Sequence, residues 1–129
     1  MWSTQFVPVP SEASRVRSEA SFRLEALQLP GPVRDDLLLM LSELVTNAVR
    51  YGRDPLCVRM VASDECIRVE VDDGNHRTPV MLHPDIPGPG GMGLRIVDRL
   101  ADSWGTRPNE CGKSVWFELS IASDPTVES

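Results

Sequence analysis

Apolar positions along the chain switch between helical and strand spacing, and each switch falls at a recognisable breaker. "FVPVP" (6–10) alternates, but its two prolines cannot donate to a ladder, so it predicts an edge strand at most. Ser11 then offers an N-cap and Glu12 a first-turn acid. Ala13, Val16, Ala20, Leu24 and Leu27 follow helical spacing until "LPGP" stops the run. A second helix is predicted from about Pro32 to Tyr51, with Gly52 as its terminator. Val33, Leu37, Met40, Leu41, Leu44, Val45 and Ala48 share one broad arc of it. Glu43 and Asn47, one turn apart on the same face, fall at the border of that arc.

"LCVRMVAS" (56–63) and "CIRVEVDD" (66–73) have strand periodicity, and the short turn at Asp64 and Glu65 predicts a hairpin. From Gly74 to Gly91 the chain is irregular and rich in proline and glycine, a long loop for a small domain. It ends at "GGMGLRIVDRLADSWG", where Leu94, Val97, Leu100 and Ala101 mark a third amphipathic helix. "SVWFELSI" (114–121) reads as a last strand, with room for a short one near Trp104 and a polar tail at 123–129. The pattern predicts a two-layer α+β sandwich, in which about three helices cover one face of a mixed, mostly antiparallel sheet.

Bulk properties narrow the function. A chain of 129 residues that is 41% hydrophobic and 25% charged suits one compact domain. A net charge of −6 with dispersed arginines lacks the basic stripe that phosphate neutralisation requires, so no direct nucleic-acid partner is expected. Cys57, Cys66 and Cys111 show neither disulfide-framework nor zinc spacing, and the N-terminus has neither half of a signal peptide. No apolar run approaches the roughly 18 residues of a membrane span. The expectation is a cytoplasmic protein without a membrane partner.

Three stretches carry candidate chemistry. On the helix, the Asn47 carbonyl oxygen could anchor Mg²⁺, which takes few protein ligands, and Glu43 could receive a proton. A solvated helix edge would look the same. In "VEVDDGN" (69–75), alternation sends Val69, Val71 and Asp73 to one face and Glu70 and Asp72 to the other. If the valines face the core, Asp73 points inward and needs donors, for which an adenine amine would serve; "DDG" is equally ordinary turn chemistry. In "GPGGMGLRIVDRL", Gly90, Gly91 and Gly93 open a helix, where unpaired N–H groups can meet phosphate, although neither a P-loop nor a dinucleotide fingerprint is present. His76 and His83 read as solvated loop residues.

Taken together, a Glu-x-x-x-Asn helix, a V-x-D strand end and a loop into G-x-G-L resemble the ATP site of the GHKL (Bergerat-fold) superfamily, from about residue 6 to 121. "LSELVTNAVRYG", "GGMGLRIVDRLADSWG" and "GKSVWFEL" are similar to the forms used by small anti-sigma-factor serine/threonine kinases and their single-domain actinobacterial relatives. The resemblance implies a histidine-kinase-like ATP-binding domain over 1–122, with ATP and Mg²⁺ as cofactors. It implies that Asn47 coordinates Mg²⁺ and that Glu43 is the catalytic base or orients the hydroxyl. Asp73 would accept the adenine amine beside Ala48 and Val97, Gly91, Gly93 and Leu94 would open the phosphate-binding turn, and 75–90 would be the lid. The chain departs from the family's D-x-G-x-G. Aligning Asp72 makes Gly74 the first glycine and puts His76 at the second; aligning Asp73 puts Asn75 at the first. Strand alternation favours Asp73.

A histidine kinase needs a phosphoacceptor His on a dimerising helix, and chaperone and topoisomerase relatives need a second domain. What remains is the expectation of a stand-alone ATP-binding regulator. The resemblance to the anti-sigma-factor kinases implies a transcription regulator that phosphorylates a serine on an anti-sigma-factor antagonist and, when the antagonist is unavailable, sequesters a sigma factor. Family precedent adds a homodimer. The alternative is a nucleotide-dependent protein-binding module without phosphoryl transfer.

Overall fold

A computed structural model describes residues 1–74 and 91–121. The elements run β1 (Trp2–Phe6), α1 (Pro10–Glu25), α2 (Gly31–Tyr51), β2 (Leu56–Ala62), β3 (Cys66–Asp73), α3 (Gly91–Leu100), β4 (Ser103–Pro108) and β5 (Lys113–Ser120). The strands form one open sheet in the order β1-β2-β3-β5-β4. Every pairing among the described residues is antiparallel, so the sheet is less mixed than its sequence suggests.

Sheet and helices are ordered in step. Helix α1 lies against β1, α2 packs between α1 and α3 over β3 and β5, and α3 reaches β4. Strand alternation places Leu56, Val58 and Met60, then Ile67, Val69 and Val71, then Val115, Phe117 and Leu119 on the helix-facing side. Against them α2 buries Leu37, Leu38, Met40, Leu41, Leu44, Val45 and Ala48, and α1 adds Val16, Ala20 and Leu24. The two layers thus share one core. No helix among the described residues is long and apolar enough to cross a membrane.

The largest departure from the sequence reading is at the N-terminus. The first strand lies at Trp2–Phe6 and not at 6–10, paired from Trp2↔Met60 to Phe6↔Leu56. Trp2 and Phe6 turn inward on one side of it, and the prolines that follow lie outside the ladder. Pro10, expected in that strand, is instead the first residue of α1, where its fixed φ suits the helix. Extended Val9 is the N-cap and Ser11 lies inside the helix, so Ser11 does not cap it. The side chain of Glu12 reaches back to accept the Val7 amide at 3.3 Å. Leu27 lies beyond α1 and is exposed. In the hairpin turn, Ser63 Oγ accepts the amides of Glu65 and Cys66 at 3.2 and 3.1 Å.

Among the described residues the opposite sheet face has no helix packed on it, and it carries charge. Glu70 is paired with Arg59 at 3.1 Å, Arg68 at 3.1 Å and Arg107 at 2.9 Å, from three strands. Arg68 also lies over the Trp116 ring, 4.2 Å from its centroid. Burial pushes the Glu70 carboxyl up, but hydrogen bonds from Arg68 and Arg59 outweigh it and hold the group below its ordinary value of 4.5. A carboxyl depressed in the native state adds stability above its unfolded pKa, and that stability is lost as pH falls through the native value. Thermal melting of Glu70→Gln should therefore show a deficit against wild type at neutral pH that closes as pH drops below about 4.5. Parallel curves would show that the arginines do not depress Glu70.

Candidate functional site

The last turn of α2, the end of β3 and the start of β5 converge at Asp73. Its position follows from parity: with Val69 and Val71 on the helix-facing side, Asp73 falls there too, and it is 8% exposed. Its Cα partner across the β3–β5 pair is Lys113, whose Nζ donates to Oδ2 at 3.0 Å and Oδ1 at 3.3 Å. A buried carboxylate beside a helix C-terminus faces both desolvation and the negative end of the helix dipole. The ammonium group of Lys113 offsets both.

Asp72 faces the other way. It accepts Arg59 at 2.6 Å and the Ser114 hydroxyl at 2.5 Å on the helix-free face. The two neighbouring carboxylates are thereby assigned to opposite sides of the sheet. Asn109 fixes the turn into β5: its Oδ1 accepts the amides of Cys111 and Gly112 at 2.9 and 2.7 Å, and its Nδ2 donates to Ser114 Oγ at 3.0 Å.

Two glycines allow this convergence. A Cβ on Gly52 would lie 2.6 Å from the Ala48 carbonyl oxygen and 3.1 Å from Asp73 Cβ, and one on Gly112 would lie 2.1 Å from the Asp73 carbonyl oxygen. Gly52 also closes α2, its amide donating to Ala48 at 2.9 Å.

Glu43 and Asn47 are half-buried on α2, beside the buried Leu44, Val45 and Ala48. Among the described residues neither side chain is held by a hydrogen bond or ion pair to another. Ala48, which follows Asn47, belongs to the turn that touches Gly52 and, through it, Asp73. Gly91 and Gly93 occupy the first turn of α3, and Leu94 and Val97 behind them are 2% and 0% exposed, in the same core as Ala48. The expected lid at 75–90, with His76 and His83, lies outside the described residues, as do Gly90 and the tail at 123–129.

The donors suit Mg-ATP. Among the described residues no three His, Cys, Asp or Glu side chains cluster as a metal cage. A lone amide oxygen such as that of Asn47 fits an ion that keeps its waters and takes phosphate oxygens. The inward carboxylate of Asp73 fits an exocyclic amine. Lys113, Gly112 and Asn109 were missed by sequence reasoning. Their signal was the fixed register of the last strand, which places "GK" opposite Asp73.

The open antiparallel sheet with helices on one face, and this α2–β3 junction, agree with the α+β sandwich expected of a histidine kinase-like ATPase domain. Residues 6–119 match the histidine kinase-like ATPase domain family, and the chain belongs to it. Its fold is similar to that of the histidine kinase domain of the blue-light activated histidine kinase from Erythrobacter litoralis EL346. The two are 21% identical with a TM-score of 0.54, over 86% of this chain and 60% of that one. At that identity the likeness is one of fold. Comparison with curated proteins finds no match.

The crowding at Gly112 gives a direct check. Gly112→Ala should cost about 1–3 kcal/mol in urea unfolding, because the strand ends must separate to admit the methyl group. Gly31→Ala, whose Cβ would meet nothing within 4 Å, should be neutral or slightly stabilising. Equal effects at the two positions would contradict the packing described.

Proposed function

We propose that this domain is a Mg-ATP-binding regulatory serine/threonine protein kinase of anti-sigma-factor type, acting in the cytoplasm on an antagonist protein. A sigma factor as second partner and a homodimeric state belong to the same proposal. One juxtaposition supports it most: Glu43 and Asn47 lie a turn apart, unengaged among the described residues, on the edge of the helix whose last turn adjoins buried Asp73. In a histidine kinase-like ATPase domain that arrangement is suited to holding a nucleotide by both ends.

Each residue has a separate task. Asp73 accepts the exocyclic amine of the base. Ala48, with Leu94 and Val97 packed behind it, supplies apolar surface. The Asn47 carbonyl oxygen is the protein's ligand to Mg²⁺, and the amides of Gly91 and Gly93 in the first turn of α3 meet phosphate oxygens. Bound Mg-ATP supplies the transferable phosphoryl group. Glu43 takes the proton from the serine hydroxyl of the antagonist, or orients that hydroxyl toward the phosphoryl group.

The test is transfer of label from radiolabelled ATP to a serine of the antagonist. Glu43→Gln should slow transfer by roughly 100-fold or more while ATP binding is retained. Transfer at the wild-type rate would contradict the assigned base. Nucleotide-dependent partner binding with no transfer by the wild-type chain would replace the kinase with a binding module.

A further inference from the structure

Lys113 is the chain's only lysine: the other twelve of its 13 basic residues counted as Lys or Arg are arginines. The described strands carry three of those arginines, Arg59, Arg68 and Arg107, and all three join the ion-pair network of the helix-free face. Lys113 is the one basic strand residue on the helix-facing side, as its parity with Val115, Phe117 and Leu119 requires. Its side chain is 12% exposed and that of Asp73 10%. A planar guanidinium group would fork across both carboxylate oxygens, whereas a compact ammonium group is a point donor with three N–H groups. A carboxylate has about four acceptor sites and an ammonium group three donors, so the Asp73–Lys113 contact engages only part of either group.

We propose that Lys113 is a specificity residue of the nucleotide site and reads the base jointly with Asp73: Asp73 accepts the adenine N6 amine and Lys113 Nζ donates to the adjacent ring nitrogen N1. The inference rests on the nucleotide reading above and adds a second contact to it. The geometry that supports it is the direct Cα pairing of the two residues and the short Nζ contacts to both carboxylate oxygens. Together the side chains present an acceptor and a donor side by side at the end of the central strand pair. Adenine presents the complementary order, an amine beside a ring acceptor. Guanine offers a carbonyl at the position where Asp73 needs a donor, and the mismatch leaves a buried carboxylate opposed to an oxygen.

The experiment compares wild-type binding of Mg-ATP, Mg-GTP and the deaza analogue of ATP in which C–H replaces ring nitrogen N1. The analogue keeps the amine and the triphosphate and loses only the acceptor assigned to Lys113. It should bind at least about tenfold more weakly than ATP, and GTP should bind more weakly than ATP. In Lys113→Met the difference between ATP and the analogue should vanish; if that variant does not fold, the wild-type comparison decides alone. Equal wild-type affinity for ATP and the analogue would overturn the role of Lys113 and leave the nucleotide reading intact. GTP binding tighter than ATP would overturn the adenine order. No binding of any of the three to folded wild-type chain would remove the nucleotide reading and this inference with it.

Discussion

Burial of the apolar arc of α2 against β3 and β5 is the constraint on which the rest of the structure depends. That arc runs from Leu37 to Ala48 and shares one core with Val69, Val71, Val115 and Phe117 of the two strands α2 packs on, so the rotation of α2 about its axis is fixed by the core. Once it is fixed, Glu43 and Asn47 must lie along the edge of the contact, half-buried. The same packing brings the helix terminus at Gly52 onto Asp73. The core thus fixes both elements of the site.

A second consequence is the opposite fate of two adjacent carboxylates. Asp72 and Asp73 differ by one position in a strand, and strand alternation alone sends one to Arg59 and Ser114 and the other to Lys113. A register slip of one residue would exchange them. Three features guard against it: the helix-facing valines, the arginines gathered on Glu70, and the Asn109 turn that sets where β5 begins. The ion pairs on the helix-free face therefore help to hold the register on which Asp73 depends.

Most of this was legible in sequence because it follows from periodicity. The α2 arc, the β2–β3 hairpin and the inward turn of Asp73 each need only a repeat of 3.6 or 2 residues. What was not legible depends on contacts between distant segments. Trp2 and Phe6 read as a strand only once β2 is beside them, and Pro10 is a helix start only because the ladder ends at Phe6. Lys113 looks like one more surface charge until pairing with β3 sets it opposite Asp73, forty residues away in the chain. Gly52 was legible as a helix stop, but the close approach to Asp73 that it permits was not.

The central claim is that α2 and β3 together hold a magnesium-bound nucleotide. Calorimetric titration of ATP into the folded chain, with and without Mg²⁺ and in Asn47→Ala, tests it most directly. Saturable one-to-one binding that is lost on removing Mg²⁺ and strongly weakened in Asn47→Ala is the expected result. Absence of binding to folded wild-type chain, or binding indifferent to both Mg²⁺ and Asn47, would contradict it.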